Sequence, residues 1–357
     1  MHFLIPALLT ASLSLSSALS LPAPRLISER KLPTSAIVHQ FPNPTWVENI
    51  AVRSNGQLLV TTIGIPGSTG PNLYLIDPLS SLQNPSSPST ATLVHSFAPF
   101  HGVLGITEVE PDHFYVVTGN LSLSPFAFGT GTYAVQSVDL SSYSASTNTG
   151  AVIKELTAIP QAGVLNGATT LDESKGLIII ADSEVGAIWQ VDVNTGAYSI
   201  LLQEPEMAVG TAPPPLGING VKVLKTAKDS VYIYFDNTSQ GLFCRVPLSL
   251  STLQKTGPVE ILETGFSVDD FALDLIEGVA YLAGGDTNSI GKIGLGGGVV
   301  TTVLGGQNET IVEGPTSVAV GRGPETELVK FVTTNGGFLS PIDGTIREGG
   351  RVVAFFA

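Results

Sequence analysis

Six polar side chains stand at matching points along this chain: Glu48, Asn166, Asn219, the adjacent pair Asp269 and Asp270, and Thr316. Each sits at or beside the opening of a short apolar run, as in Asn166-Gly-Ala-Thr-Thr-Leu and Asn219-Gly-Val-Lys-Val-Leu, and a similar opening at Gly105 carries no polar group. The openings recur roughly every 45 to 60 residues. If they converge, two carboxylates and two carboxamides supply hard oxygen donors of the kind Ca²⁺ takes. Without a metal, the same groups can donate hydrogen bonds to a substrate oxygen and move protons. Asn and Asp also fill tight strand entrances on their own account, so convergence is what would make a site of them. The chain has no Gly-x-Ser-x-Gly elbow and no His-rich cluster, and its one cysteine, Cys244, lies in the apolar run Leu-Phe-Cys-Arg-Val.

The elements that must position these residues are strands. Between Val164 and Leu202 four short runs are separated by turn signals at Glu173–Gly176, Ser183–Gly186 and Asn194–Gly196. This is the sequence form of one four-stranded antiparallel propeller blade. Six such openings predict an all-β, six-bladed β-propeller. Its last blade lacks a fourth strand at the C-terminus, and Ala36–Phe41 is predicted to supply it and close the ring. In a propeller the innermost strands start around a central channel, which is where the polar residues would meet. The Ser/Pro-rich stretch Leu79–Thr92 and the Ser/Thr-rich stretch Ser141–Thr149 read as solvated loops.

Charged residues make up 13% of the chain, and the formal net charge is -14. That balance excludes nucleic acid and an anionic membrane surface as partners. Residues 1–20 read as a secretory signal peptide ending in Ala18-Leu19-Ser20, residues 21–34 as a loose segment, and residues 35–357 as the propeller domain. No later stretch is apolar enough to span a membrane. The sequons at Asn120, Asn237 and Asn308 fit a glycoprotein of the secretory route, expected to be secreted. The chain is expected to be a monomer.

Trp46-Val-Glu-Asn-Ile-Ala-Val-Arg-Ser-Asn-Gly-Gln-Leu-Leu-Val-Thr, Gly105-Ile-Thr-Glu, Asn166-Gly with Ile180-Ala-Asp-Ser, Asp269-Asp-Phe-Ala-Leu-Asp and Gly314-Pro-Thr-Ser together resemble the SMP-30/gluconolactonase/LRE-like propellers, above all their fungal secreted branch. The resemblance runs from about Ser35 to the C-terminus. For the calcium-dependent lactonases of that superfamily it implies a metal held by Glu48, Asn166, Asn219 and Asp269 or Asp270. The chain departs from their pattern at Asn219, where an aspartate would serve as ligand and base, and at Leu104-Gly105, where a polar residue is expected. The fungal branch also resembles the hetero-Diels–Alderases of tropolone-sesquiterpenoid pathways, which run a cycloaddition on the same propeller.

The loops favour the cycloaddition. Phe41–Trp46, Phe97–His101, Ser124–Phe128 and the proline-rich Met207–Ile218 are expected to build a stiff apolar mouth suited to an apolar or aromatic small molecule. Trp46, Phe100, His101, Phe126 and Phe128 are its expected contacts. In this reading Glu48, Asn166, Asn219, Asp270 and Thr316 carry the chemistry, by donating to a carbonyl or assisting a dehydration, and no cofactor is needed. Two other readings stand beside it: a Ca²⁺-dependent lactonase or esterase, and a non-catalytic ligand-binding propeller.

Overall fold

The strand Leu177–Asp182 (LIIIAD) carries the strongest apolar run of its repeat, and the structure gives the reason. It pairs on one side with Leu165–Asp172 and on the other with Ala187–Asp192, and it is buried on both faces. Outermost strands such as Val152–Ala158 and Tyr198–Leu202 have one face in solvent and a correspondingly mixed sequence.

The computed structural model describes residues 34–357 apart from 69, 124–125 and 345–347. The predicted signal peptide and all but the last residue of the loose segment lie outside the described residues. The described chain is an all-β, propeller-like fold. Its one α-helix among the described residues is Leu79–Gln83.

Four sheets have four antiparallel strands each, and a fifth has eight. The eight-stranded sheet divides into two four-stranded runs that touch at a single pair, Ile63↔Gly102. The first described strand, Ser35–Gln40, lies antiparallel to Arg351–Phe355, from Ser35↔Phe355 to Gln40↔Arg351. The innermost strands are Trp46–Val52, Gly102–Glu110, Leu165–Asp172, Ile218–Lys225, Phe271–Asp274 and Pro315–Val320. They contact one another in that order, and the last contacts the first.

The core lies between neighbouring four-stranded units rather than at the centre. Val103, Phe114 and Val116 pack on Leu59 and Leu75; Ile180 and Trp189 pack on Val117 and Val135. Ile233 and Cys244 pack on Ile179 and Ile188; Phe271 and Leu282 pack on Tyr234 and Phe243. Val318 and Val353 pack on Tyr281, and Ile50 and Val60 pack on Val38 and Val352. Cys244 is one of these core residues, and burial pushes its thiol up to about 12, which leaves it inert.

One loop reading needs correction. Leu79–Thr92 is not simply solvated. Its helix places Ser81 against the first strand, where the Ser81 hydroxyl donates to the Val38 carbonyl at 3.0 Å, and the Ser89 N–H donates back to Ser81 Oγ at 2.8 Å. The serines are there to satisfy backbone groups on that strand, a role composition does not reveal.

Candidate active site at the inner-strand entrances

At their cavity ends five of the inner strands break register with their neighbours. The breaks fall between Val47 and Ile50, Val103 and Ile106, Leu165 and Ala168, Ile218 and Val221, and Pro315 and Ser317. Such a bulge turns a side chain out of the ladder and re-aims it. The residues inside the breaks are Glu48 with Asn49, Leu104 with Gly105, Asn166 with Gly167, Asn219 with Gly220, and Thr316.

The glycines let the bulges nest. A Cβ on Gly167 would lie 2.6 Å from the Asn219 carbonyl oxygen, and one on Gly220 would lie 2.3 Å from Asp270 Oδ1. The Asn-Gly pairs therefore have two jobs, a polar side chain aimed inward and a bare Cα for the next strand to approach.

Three of these bulges, at Glu48, Asn166 and Asn219, line a cavity of about 70 Å³ that opens into about 770 Å³ of unfilled space, solvent at the mouth included. Trp46, Glu48, Phe126, Asn166, Asn219 and Asp269 all line it. Trp46 and Glu48, two apart on one strand face, are joined: the indole N–H donates to Glu48 Oε2. Asn166 Nδ2 donates to Ser183 Oγ at 3.2 Å, and its second N–H has no partner among the described residues. Asn219 Nδ2 donates to Asp269 Oδ1 at 2.8 Å and to Thr238 Oγ1 at 3.0 Å. Both amide hydrogens are spent, so Asn219 presents only a carbonyl oxygen to a ligand, contrary to its expected role as a donor.

Glu48 is a buried acid and Asp269 a half-buried one. Burial raises the Glu48 carboxyl to about 7, against the Trp46 hydrogen bond, with the Asp270 charge adding to the rise. Burial also raises Asp269 well above the carboxylate range, reinforced by the charges of Glu48 and Asp270 and opposed by the Asn219 bond. Both carboxyls are thus pushed toward the protonated form, the Glu48 charge contributing to the rise at Asp269.

Two expected members of the chemistry are elsewhere. Asp270 does not line the cavity. It accepts from Asn49 Nδ2 at 3.0 Å, Lys222 Nζ at 2.6 Å, Ser317 Oγ at 2.9 Å and the Phe271 N–H at 2.8 Å. It ties four inner strands together. Thr316 is buried and its hydroxyl donates to the Val47 carbonyl at 2.7 Å, with Thr333 Oγ1 at 2.9 Å.

The mouth is also narrower than the sequence suggested. Phe100 packs on the apolar cluster between the first two units. His101 is exposed, and its carbonyl receives the Gly64 N–H at 2.7 Å. Phe128 packs behind Phe126, edge-on at 5.1 Å, without reaching the cavity. Asn237 is fully buried: its amide donates to the Glu206 and Ala208 carbonyls and its oxygen accepts from Gln240 N–H at 3.0 Å. It is no place for a glycan. Asn120 is half-buried with its Oδ1 enclosed, and Asn308 is exposed.

Sequence reasoning missed Asp286 and Leu339, which also line the cavity. Asp286 sits in the turn Gly285–Thr287 between the second and third strands of its unit, a class of connection that faces the cavity, so its place was open to inference. Leu339 follows Asn335, whose Oδ1 accepts from the Gly337 and Phe338 N–H groups at 2.9 and 3.0 Å. No strand periodicity marks that turn.

As a metal cradle, the side-chain oxygens of Glu48, Asn166, Asn219 and Asp269 form a donor set of the hard type Ca²⁺ accepts. Among the described residues no group of three or more His, Cys, Asp or Glu could hold a metal, so an ion here would depend on the two amides.

No protein family profile matches the chain. A protein of Phoma sp described as "Putative hetero-Diels-Alderase" is 28% identical over 324 residues, 84% of this chain and 86% of its own length. A protein of Sarocladium schorii with the same description is 25% identical over 347 residues, 88% of this chain and 80% of its own. Among solved structures, a luciferin-regenerating enzyme superposes with a TM-score of 0.63 at 14% identity, covering 91% of this chain and 95% of that one. The calcium-binding protein regucalcin of Agrobacterium tumefaciens superposes at 0.56 and 15% identity, covering 89% and 92%. The chain thus shares its propeller fold with regucalcin and the luciferin-regenerating enzyme, and its sequence is similar over most of its length to fungal proteins that carry the hetero-Diels–Alderase description.

Proposed function

We propose that this chain is a six-bladed propeller, sealed by the strand Ser35–Gln40, that works as a hetero-Diels–Alderase of fungal secondary metabolism. The ladder of that strand on Arg351–Phe355 and the circular order of inner-strand contacts support the ring. The two fungal relatives support the activity. One observation carries the chemistry: the cavity sets two acids, Glu48 and Asp269, and an amide, Asn166, with one N–H unpartnered among the described residues, against a wall of Trp46, Leu121 and Phe126.

A hydroxymethyl tropolone would lose water between the two acids. The protonated member gives its proton to the departing hydroxyl as the C–O bond breaks, and the ionised member takes the tropolone O–H proton. The products are water and a quinone methide. The Asn166 N–H then polarises the carbonyl of that diene while the apolar wall holds a terpenoid alkene across it. One C–C and one C–O bond form from the π electrons, and no nucleophile is needed. Such a pair of reactants fills the mouth as well as the enclosed floor.

A Ca²⁺-dependent lactonase is the second reading, favoured by the four-oxygen donor set. There Glu48, Asn166, Asn219 and Asp269 would hold the ion, and the ion would polarise the lactone carbonyl. Purified protein should be assayed on a tropolone–terpene pair and on a lactone panel, each with and without chelator. The proposal expects cycloadduct formation at a rate the chelator leaves intact. Chelator-sensitive lactone hydrolysis with no effect of the protein on cycloaddition would overturn it.

A further inference from the structure

The cavity is unevenly lined around its circumference. One arc is built by the sixth, first and second units. It presents Leu339, Trp46, Ile63, Leu121, Leu123 and Phe126, the larger apolar side chains of the site. The facing arc, from the third to the fifth unit, presents Asn166, Asn219, Thr238, Ser267, Asp269 and Asp286, with Leu216 and the smaller Val164, Pro214 and Val268 between them. Glu48 stands on the floor of the apolar arc, with Asn335 and Ser340 the other polar groups on that side.

Two features of the apolar arc point to a ligand. Phe126 and Leu339 reach the cavity from different units and yet remain 41% and 48% exposed. Large apolar side chains facing water at the lip of a cavity are what a bound apolar molecule covers. Leu339 is also held there by construction. Phe338 packs edge-on against Trp46 at 5.7 Å, and Asn335 Oδ1 fixes the turn through two backbone N–H groups.

The opposite arc is built for polar atoms. Asn219 fixes one oxygen of Asp269, and Asp286 stands in the short helical turn Gly285–Thr287 of the same unit. Two carboxyl groups on one wall of the cavity suit a ligand that offers an O–H, and they repel a hydrocarbon.

We propose that the cavity sorts its two reactants, with the Phe126–Leu339 lip seating the terpenoid hydrocarbon and the Asp269–Asp286 wall seating the hydroxylated tropolone partner. Leu339 and Asp286 are then specificity-determining residues. The proposal rests on the cycloaddition reading for the identity of the two ligands.

The test is binding of each ligand separately, a macrocyclic sesquiterpene hydrocarbon and tropolone, followed by quenching of Trp46 fluorescence, with Trp46→Phe protein to subtract Trp189. Leu339→Ser and Phe126→Ser should each weaken the hydrocarbon about 10-fold and leave tropolone within about 2-fold. Asp286→Asn should weaken tropolone several-fold and leave the hydrocarbon unchanged. Leu339→Met, which keeps the apolar lip, should bind like the wild type, and unchanged melting of every variant guards against misfolding. Equal losses for both ligands in every variant, hydrocarbon binding indifferent to Leu339, or a wild type that binds neither ligand would each overturn the sorting. Wall-specific losses in a protein that forms no cycloadduct would leave the sorting standing and sink the cycloaddition reading instead.

Discussion

Asn219 holds Asp269, its Nδ2 lying 2.8 Å from Asp269 Oδ1. The bond favours the ionised form of a carboxyl that burial and the Glu48 charge push the other way. Asn219→Ala should therefore let Asp269 keep its proton to higher pH. The alkaline limb of the rate profile is expected to move up, with kcat down roughly 10- to 100-fold because the ionised partner is lost. A profile that keeps its shape while the rate falls would make Asn219 a packing residue only.

Asp270 belongs to the scaffold. Its buried carboxylate meets the half-buried Lys222 Nζ at 2.6 Å and accepts from Asn49, Ser317 and the Phe271 N–H. Asp270→Ala takes the acceptor from the buried Asn49 and Ser317 side chains as well as from the half-buried Lys222 ammonium, at about 1–3 kcal/mol for each buried donor left unsatisfied. Asp269→Asn, on the cavity surface of the same segment, should cost activity and little stability. Denaturant midpoints of the two variants side by side check this, and equal midpoints would remove the distinction.

The two neighbours explain what the sequence could and could not reveal. Asp269-Asp270 reads as one acidic signal at an inner-strand entrance, and just ahead of the strand Phe271–Asp274 the two side chains enter different surroundings. Which one faces the cavity depends on a register that no local pattern states. The same limit hid the spent hydrogens of Asn219 and the internal bond of Thr316, since both depend on partners roughly 20 to 270 residues away along the chain. The strand runs and the Asn-Gly entrances were legible because they are local. Phe100, His101 and Phe128 misled because an aromatic residue in a loop packs downward as readily as it faces a ligand.

Asp236 should make stability depend on pH. It is fully buried, its Oδ2 has no partner among the described residues, and burial with the Asp270 and Asp269 charges raises it well above 3.8. The folded protein thus keeps a proton that the unfolded chain releases. The stabilisation is complete below the unfolded pKa and is lost as pH rises toward the folded one. Asp236→Asn, neutral throughout, should flatten the slope: near wild type at pH 4 and more stable at pH 8. Parallel midpoint-against-pH curves would refute a protonated Asp236.

If the chain travels a secretory route, the structure leaves one readily usable sequon. Asn308 is exposed, whereas Asn237 spends its amide and its oxygen inside the fold and Asn120 has its oxygen enclosed. Protein expressed through a eukaryotic secretory host should carry one glycan, and Asn308→Gln should remove the whole glycosidase-sensitive mass. A glycan recovered on Asn237 in folded protein would contradict the hydrogen bonding described here.

The strand Ser35–Gln40 gives the strictest test of the ring. It donates Ala36 and Val38 to the core and covers the edge of Arg351–Phe355 along its length. Its neighbour Phe41 packs in the same cluster as Val38 and Val352. Removing residues 1–41 would therefore uncover an apolar edge strand and open a cluster shared by the first and last units, and exposed edges of this kind invite pairing between chains. The truncated protein is expected to aggregate or to melt far below the full chain. Val38→Ala, which keeps the ladder and removes two methyl groups from the cluster, should cost only about 2 kcal/mol. If the truncated chain stays monomeric and melts with Val38→Ala, the first strand is an ornament on a ring that closes without it, and the proposed seal is wrong.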